Sequence, residues 1–138
     1  MQIELKRIDN AFRFQATAES SDNITYIDAA EAIGGHNAGA RPMQLVLMGL
    51  GGCSGIDLIE ILKKQRQELK DISISIDGKR ADAVPSVFSD IHVHFYLTGA
   101  LDERKVKRAI DLSLNKYCSV AAMLCKTARI TSSFEISV

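Results

Sequence analysis

The sequence predicts a single α+β domain over residues 1–138. Three observations support this fold class. Apolar residues alternate with polar ones in strand-like segments near both ends of the chain and in its middle, and two segments between these strands have helical spacing. No internal repeat or linker interrupts the order of three strands, a helix, two strands, a helix and a final strand. This irregular order is typical of one α+β domain.

Composition excludes several classes of function. Of the 138 residues 46% are apolar, which is enough for one core, and 17 basic residues balance 17 acidic ones. A chain without net charge has no electrostatic footprint for nucleic acid or an anionic membrane. The N terminus lacks the pattern of a signal peptide, and the uncharged residues 45–56 are too few and too glycine-rich to span a bilayer. We therefore expect a cytoplasmic protein.

Residues 1–40 are predicted to form an antiparallel meander of three strands. Alternating patterns mark strands within residues 2–8, 12–15 and 24–27, and polar residues between them are typical of turns. The glycine-rich residues 34–40 then form a loop. Because this loop follows no buried strand and lacks the lysine of a phosphate-binding motif, no nucleotide site is expected.

Residues 42–67 are predicted to form a long helix around which the chain is organised. Pro42 suits its first position, and the uncharged residues 45–56 favour a helix that is buried all round, over a length of roughly 40 Å. Four glycines surround Cys53 in this helix, although glycine disfavours helices: Gly49, Gly51, Gly52 and Gly55. Close packing or access to the thiol would explain them. A break at Gly51-Gly52, which would place Cys53 near a helix start, is the alternative.

The second half of the chain is predicted to contain strands at residues 72–77 and 90–97, a helix at 102–117, a short helix at 120–124 capped by Ser119, and a strand at 128–138. His92 and His94 share one face of a strand. They could contribute to a metal site, but a solvated strand face is the better interpretation, since no third ligand lies nearby in the sequence.

The three cysteines are expected to be thiols, since a cytoplasmic chain rarely uses disulfides and none has the paired spacing of a zinc site. Cys53 and Cys118 lie on or beside the two main helices, so packing of these helices could bring the thiols together. Cys118 and Cys125 would lie roughly 10 Å apart on one helix, too far for a disulfide. The alternative is that all three are buried small apolar residues.

Two segments resemble the OsmC/Ohr family, and most closely its YhfA-like branch: Pro42-Met43-Gln44-Leu45 with Gly51-Gly52-Cys53-Ser54, and Tyr117-Cys118-Ser119-Val120-Ala121. The resemblance implies an OsmC-like α+β fold, with antiparallel sheets wrapped around two main helices in an intertwined homodimer. It also implies a peroxidase without metal or cofactor, in which Cys53 attacks a peroxide, Cys118 resolves the product to a disulfide and an external dithiol reduces it.

This sequence departs from the family pattern around the expected active site. Met43 stands where family peroxidases commonly have a glutamate that holds an arginine against the thiol. Arg41 is the nearest candidate for that arginine, and Arg13 is a weaker one. Asp57, four residues after Cys53 on the helix, places a negative charge where it opposes thiolate formation. Ser119 replaces a proline that often follows the second cysteine.

The resulting hypothesis is a cysteine-based peroxidase that reduces organic hydroperoxides, with Cys53, Cys118 and Arg41 as catalytic residues. Organic peroxides are expected because the residues around Cys53 are apolar. The alternative is a catalytically weak or inactive dimer that binds a small apolar molecule at its interface, and a third option is a different thiol enzyme.

Overall fold

Two three-stranded sheets and one long helix make up most of the computed structural model, which describes residues 1–138. The chain divides into two units, Met1–Val46 and Leu47–Val138. The α+β class is confirmed, because strands and helices both occur and do not alternate regularly along the chain. The single domain over residues 1–138 stays a prediction.

The first unit contains the antiparallel meander expected from the sequence. Its strands pair in chain order: β1 (Ile3–Arg7), β2 (Phe14–Ala18) and β3 (Ser21–Ile27). The turn between β1 and β2 is held by the Asp9 carboxylate, which accepts hydrogen bonds from the N–H groups of Ala11 and Arg13 at 2.8 and 3.1 Å. The sequence predicts Phe12 within a strand, but in the structure it belongs to this turn.

A buried aspartate organises the glycine-rich loop that follows β3. The Asp28 side chain is only 1% exposed and accepts hydrogen bonds from the N–H groups of Ala29, His36 and Ala38 at 2.8–3.0 Å. These bonds, the one from Ala38 foremost, hold the pKa of the Asp28 carboxyl below its usual value. The loop is thus fixed by its own carboxylate before the long helix begins.

The long helix α1 (Pro42–Lys64) is continuous, so the alternative of a break at Gly51-Gly52 does not hold. It ends three residues before the predicted end, since Arg66 has a φ of 58°, in the left-handed region, and a strand follows at once. By length and composition alone α1 could cross a membrane, a property that core helices of soluble proteins share.

The expectation that α1 is buried on all sides is wrong for the single chain. Its buried residues follow one face: Leu50, Ser54, Gly55, Leu58 and Leu62. On another face Met48, Ile56 and Ile59 are 57%, 66% and 43% exposed. These three residues, with Gly52 between them, form a stripe at helical spacing that we call the apolar face of α1.

The second sheet contains β4 (Glu68–Arg80), β5 (Phe88–Ala100) and β6 (Arg129–Ser137), in that order. β4 and β5 are antiparallel, as predicted, but β6 pairs with β5 in parallel. Only this edge pairing departs from the antiparallel sheets that the resemblance implied. A helical connection between β5 and β6 returns the chain to the same end of the sheet, which makes parallel pairing possible. The core of this unit includes Val93 and Phe95 of β5, both 0% exposed.

His92 and His94 lie on the other face of β5 and are half-buried rather than freely solvated. The His92 ring is hydrogen-bonded to the hydroxyls of Thr131 and Ser133, each at 2.7 Å, and the His94 ring to Ser133 at 2.6 Å. The prediction of a solvated face did not anticipate that β6 pairs with β5, where its hydroxyl residues stand opposite both histidines in the parallel register.

The second helical region changes its pitch before Cys118. Helix α2 (Glu103–Leu112) is capped by Asp102, which accepts a hydrogen bond from the Lys105 N–H at 2.9 Å. A π-helical segment (Ser113–Tyr117) follows, and then helix α3 (Ser119–Leu124). The sequence predicted one regular helix to Tyr117, with Tyr117 on its apolar stripe. The wider π turn changes the direction of later side chains, and Tyr117 is 51% exposed.

Candidate functional site

Two thiols that are distant in sequence meet in the second unit. The Sγ atoms of Cys53 and Cys118 and a carboxylate oxygen of Asp57 all lie within 4.8 Å of one another. Both cysteines are free thiols. The structure therefore brings together two of the three predicted catalytic residues, and it adds to them the aspartate that the sequence had marked as an unfavourable neighbour.

Cys53 is positioned by the middle of α1, and the next residue fixes the helix in place. The Ser54 hydroxyl donates to the carbonyl of Leu50 at 2.7 Å, which satisfies this buried group within the helix. The Ser54 carbonyl in turn accepts a hydrogen bond from the Ser113 hydroxyl at 3.0 Å. Since both serines are 0% exposed, this bond is a dry link between α1 and the π-helical segment that leads to Cys118.

Sequence reasoning missed the structural role of Ser54 and Ser113. The only available signal was a polar residue at a buried helical position in each of the two helices. A buried hydroxyl needs a partner, so two such residues on packed helices are candidates for a mutual link.

Cys118 is positioned by the end of the π-helical segment and the start of α3. Its N–H donates to the carbonyl of Ser113 at 2.7 Å, the five-residue spacing of a π turn. Its Sγ accepts a hydrogen bond from the Ala121 N–H at 3.3 Å and so caps α3. The prediction that Ser119 is the cap is wrong by one residue, because Cys118 has the extended backbone of a cap and Ser119 is already helical.

The two thiols differ in exposure and in charge. Cys118 is 2% exposed, whereas Cys53 is half-buried. The pKa of the Cys118 thiol is raised to about 11, chiefly by burial and in smaller part by neighbouring Cys53, against the lowering effect of the Ala121 N–H. Cys118 therefore keeps its proton at neutral pH.

The glycines around Cys53 serve two purposes. A Cβ added to Gly55 or Gly51 would lie 2.8 or 3.0 Å from the Cδ1 atoms of Ile74 and Ile76, so these glycines let α1 approach β4 closely. A Cβ at Gly49 or Gly52 would meet nothing within 4 Å. Packing thus accounts for one pair, and the other pair leaves open space on the helix next to Cys53.

Arg41, the third predicted catalytic residue, makes its contacts within the first unit. Its guanidinium donates to the Asn37 side-chain oxygen and to the Gly39 carbonyl, and its backbone N–H donates to the Gln44 side-chain oxygen at 2.9 Å. The Arg13 guanidinium lies 4.4 Å from the centre of the Tyr26 ring. The assignment of an activating arginine stays a prediction.

The third thiol lies outside the site. Cys125 is exposed at the end of α3, and its Sγ contacts the Ala122 carbonyl at 3.3 Å. The alternative that all three cysteines are buried apolar residues is therefore wrong for Cys125, which is exposed. It holds only in part for Cys53, which is half-buried.

Comparisons with known proteins agree with the fold and with one another. The OsmC-like protein family profile matches residues 35–133. The chain is 40% identical to protein YhfA of Escherichia coli strain K12, over 88% of this chain and 97% of that protein. A crystal structure of a hypothetical protein from Aquifex aeolicus VF5 has a TM-score of 0.82 at 32% identity, covering 99% of this chain and 97% of that one.

A more distant structure supports the fold alone. The organic hydroperoxide resistance protein OhrB of Bacillus subtilis has a TM-score of 0.66 at 20% identity, covering 97% of this chain and 96% of that one. The profile match extends over most of the chain and includes both thiols of the site. On the strength of that match and of the similarity to YhfA, this chain belongs to the OsmC-like protein family.

Proposed function

We propose that the protein is a thiol-dependent peroxidase that reduces organic hydroperoxides, with Cys53 as the attacking thiol and Cys118 as the resolving thiol. The observation that carries the proposal is the separation of their Sγ atoms, which is at most 4.8 Å in the reduced chain. Family membership supports a redox role, and the related B. subtilis structure is named for organic hydroperoxide resistance.

The different surroundings of the two thiols support these roles. An attacking thiol must be reached by the peroxide and must ionise, and Cys53 is half-buried beside the open position of Gly52. A resolving thiol should stay inert until the first product has formed. Cys118 meets this condition, since it is 2% exposed and has a pKa of about 11.

The reaction balances with these two thiols and one peroxide. The Cys53 thiolate attacks one peroxide oxygen, the O–O bond breaks, and the departing alkoxide takes a proton to become an alcohol. Cys53 then carries a sulfenic acid, whose sulfur is attacked by Cys118. The S–S bond forms, and the hydroxyl leaves with the Cys118 proton as water. An external dithiol reduces the disulfide by thiol exchange.

Formation of the Cys53–Cys118 disulfide requires only a small movement of the two side chains. A disulfide needs its sulfur atoms about 2.05 Å apart, so the thiols must approach by less than about 3 Å. The Cys118 sulfur is held by one hydrogen bond from Ala121, and sulfur is a weak acceptor. Rotation of the Cys118 side chain therefore breaks only this one weak hydrogen bond.

The apolar face of α1 supports two further parts of the proposal. Met48, Ile56 and Ile59 flank the Gly52 position, which favours an organic rather than an inorganic peroxide. We also propose that a second copy of this chain packs against the apolar face of α1, since a two-fold axis can pair the same stripe with itself. We propose a cytoplasmic homodimer. Ile56→Lys, which places a charge on this face, should lower the molar mass measured by light scattering.

Arg41 is the proposed activating cation, because a thiolate beside Asp57 needs a positive charge to offset the carboxylate. Arg41→Ala should slow the reaction with peroxide, and Arg41→Lys should restore part of the rate. Equal rates in wild type and Arg41→Ala would assign activation to another residue.

Rapid mixing of reduced protein with cumene hydroperoxide tests the proposal. We expect fast loss of two thiols per chain and a Cys53–Cys118 disulfide by peptide mapping. Cys53→Ser should abolish the reaction, Cys118→Ser should stop at a sulfenic acid that dimedone traps, and Cys125→Ser is the matched control. Oxidation no faster than that of free cysteine would instead favour the alternative, a weak or inactive dimer that binds a small apolar molecule.

A further inference from the structure

The Asp57 carboxylate is the part of the site that peroxide reduction does not use. Asp57 lies one helical turn after Cys53 on α1, and one of its oxygens is within 4.8 Å of both Sγ atoms. Its Oδ2 atom is buried and has no hydrogen-bond partner. A buried carboxyl oxygen without a hydrogen-bond donor is unusual, because desolvation of a polar group is normally offset by a hydrogen bond or a cation.

The three side chains together have the chemistry of a metal site. Two thiol sulfurs and a carboxylate oxygen are typical ligands of Zn²⁺, at about 2.3 Å for sulfur and about 2.0–2.2 Å for oxygen. Tetrahedral geometry with these bond lengths separates ligand atoms by about 3.5–3.8 Å. The observed upper limit of 4.8 Å therefore requires only small side-chain rotations.

The surroundings of the ligands are also ordered in the way that metal sites require. The Ala121 N–H already points at the Cys118 sulfur, and the bond from Ser113 to Ser54 fixes the two ligand-bearing segments against each other. Hydrogen bonds behind the ligands orient them and tune their affinity for the metal. No sequence pattern indicates this site, because its ligands come from two segments far apart and lack paired cysteine spacing.

We propose that the reduced protein binds one Zn²⁺ ion through Cys53, Asp57 and Cys118, with one coordination position open. Since the same two sulfurs form the disulfide, zinc and disulfide exclude each other. Release of zinc by oxidation rests on the proposed function: two zinc-bound thiolates, one organic hydroperoxide and two protons would give the disulfide, an alcohol, water and free Zn²⁺. Zinc would then protect the thiols, and oxidation would release it.

Zinc titration of the reduced, metal-free protein against a chromophoric chelator tests the site. We expect one Zn²⁺ per chain for wild type and Cys125→Ser, and no binding for Cys53→Ser, Cys118→Ser or the disulfide form. Asp57→Asn should weaken binding at least ~10-fold. Asp111→Asn, at an exposed aspartate paired with Lys107, is the matched control and should leave the affinity unchanged.

Cobalt provides a readout on the wild-type protein that needs no variant. Co²⁺ should give tetrahedral visible bands and sulfur-to-cobalt charge transfer, both lost when the disulfide forms. Absence of these bands, or equal zinc affinity in wild type and Asp57→Asn, would overturn the proposal. Metal binding is measured without peroxide, so a protein that binds zinc but does not reduce peroxide contradicts only the proposed function, and the reverse result contradicts only the zinc site.

Discussion

The two sheets differ in how much of their apolar surface the chain itself buries. In the second unit Val93 and Phe95 of β5 are fully buried. In the first unit Leu5, Phe14 and Ile24 are 54%, 36% and 46% exposed, although they belong to a regular meander. A sheet needs a covered apolar face for independent stability. The unit with the thiols therefore has its own core, and the first sheet depends on further burial.

The largest effect is expected from removing a phenylalanine ring in the second unit, compared with the same change in the first. Phe95→Ala should lower the free energy of unfolding by about 3–5 kcal/mol, because it leaves a cavity in a packed core. Phe14→Ala should cost about 1 kcal/mol or less at low protein concentration, since its ring is partly exposed. Urea unfolding at several concentrations measures both. If a second copy covers the first sheet, the cost of Phe14→Ala will rise with concentration; equal costs for both variants at all concentrations would contradict the comparison.

The two units should also lose stability at opposite ends of the pH scale. Folded Cys118 keeps its proton up to about pH 11, whereas the unfolded thiol loses it near 9.0, so stability is complete below about pH 9 and falls as the pH rises toward 11. For Asp28 the folded pKa is lowered, so its contribution is present above the usual value of 3.8 and falls as the pH drops through the folded pKa.

Hydrogen exchange across the pH range measures this prediction by segment. The amides of residues 36 and 38, which donate to Asp28, should lose protection first in acid, and those around Cys118 first in alkali. Asp28→Asn should remove the acid transition and Cys118→Ser the alkaline one. If both units lost protection together in acid and again together in alkali, the prediction that each unit has its own pH-dependent transition would be contradicted.

The smallest expected effect distinguishes two glycines within α1. Gly52→Ala should stabilise the chain by about 0.5–1 kcal/mol, because alanine favours the helix and its Cβ meets no atom within 4 Å. Gly55→Ala should gain less or lose stability, since its Cβ would lie 2.8 Å from Ile74 and force that side chain to rotate. Thermal unfolding of the two variants measures the difference; a larger gain for Gly55→Ala would contradict the packing.

The sequence predicted those features that depend on local patterns. Alternation located the strands, helical spacing located α1 and α2, and the two motifs led to Cys53 and Cys118. The parallel pairing of β6 was missed because it depends on how the chain returns after α2, which no local pattern encodes. The cap formed by Cys118 was missed because sulfur is a poor capping group and Ser119 beside it is a good one.

The π-helical segment has a consequence for how this site tolerates change. One residue in a regular α-helix turns the chain by about 100°, so the count of residues between Ser113 and Cys118 sets the direction of the second sulfur. Deleting a single residue there would allow an ordinary helix to form, with better local geometry and a thiol aimed elsewhere. The pairing of the two sulfur atoms thus depends on a length, five residues from carbonyl to amide, as much as on the identity of any side chain.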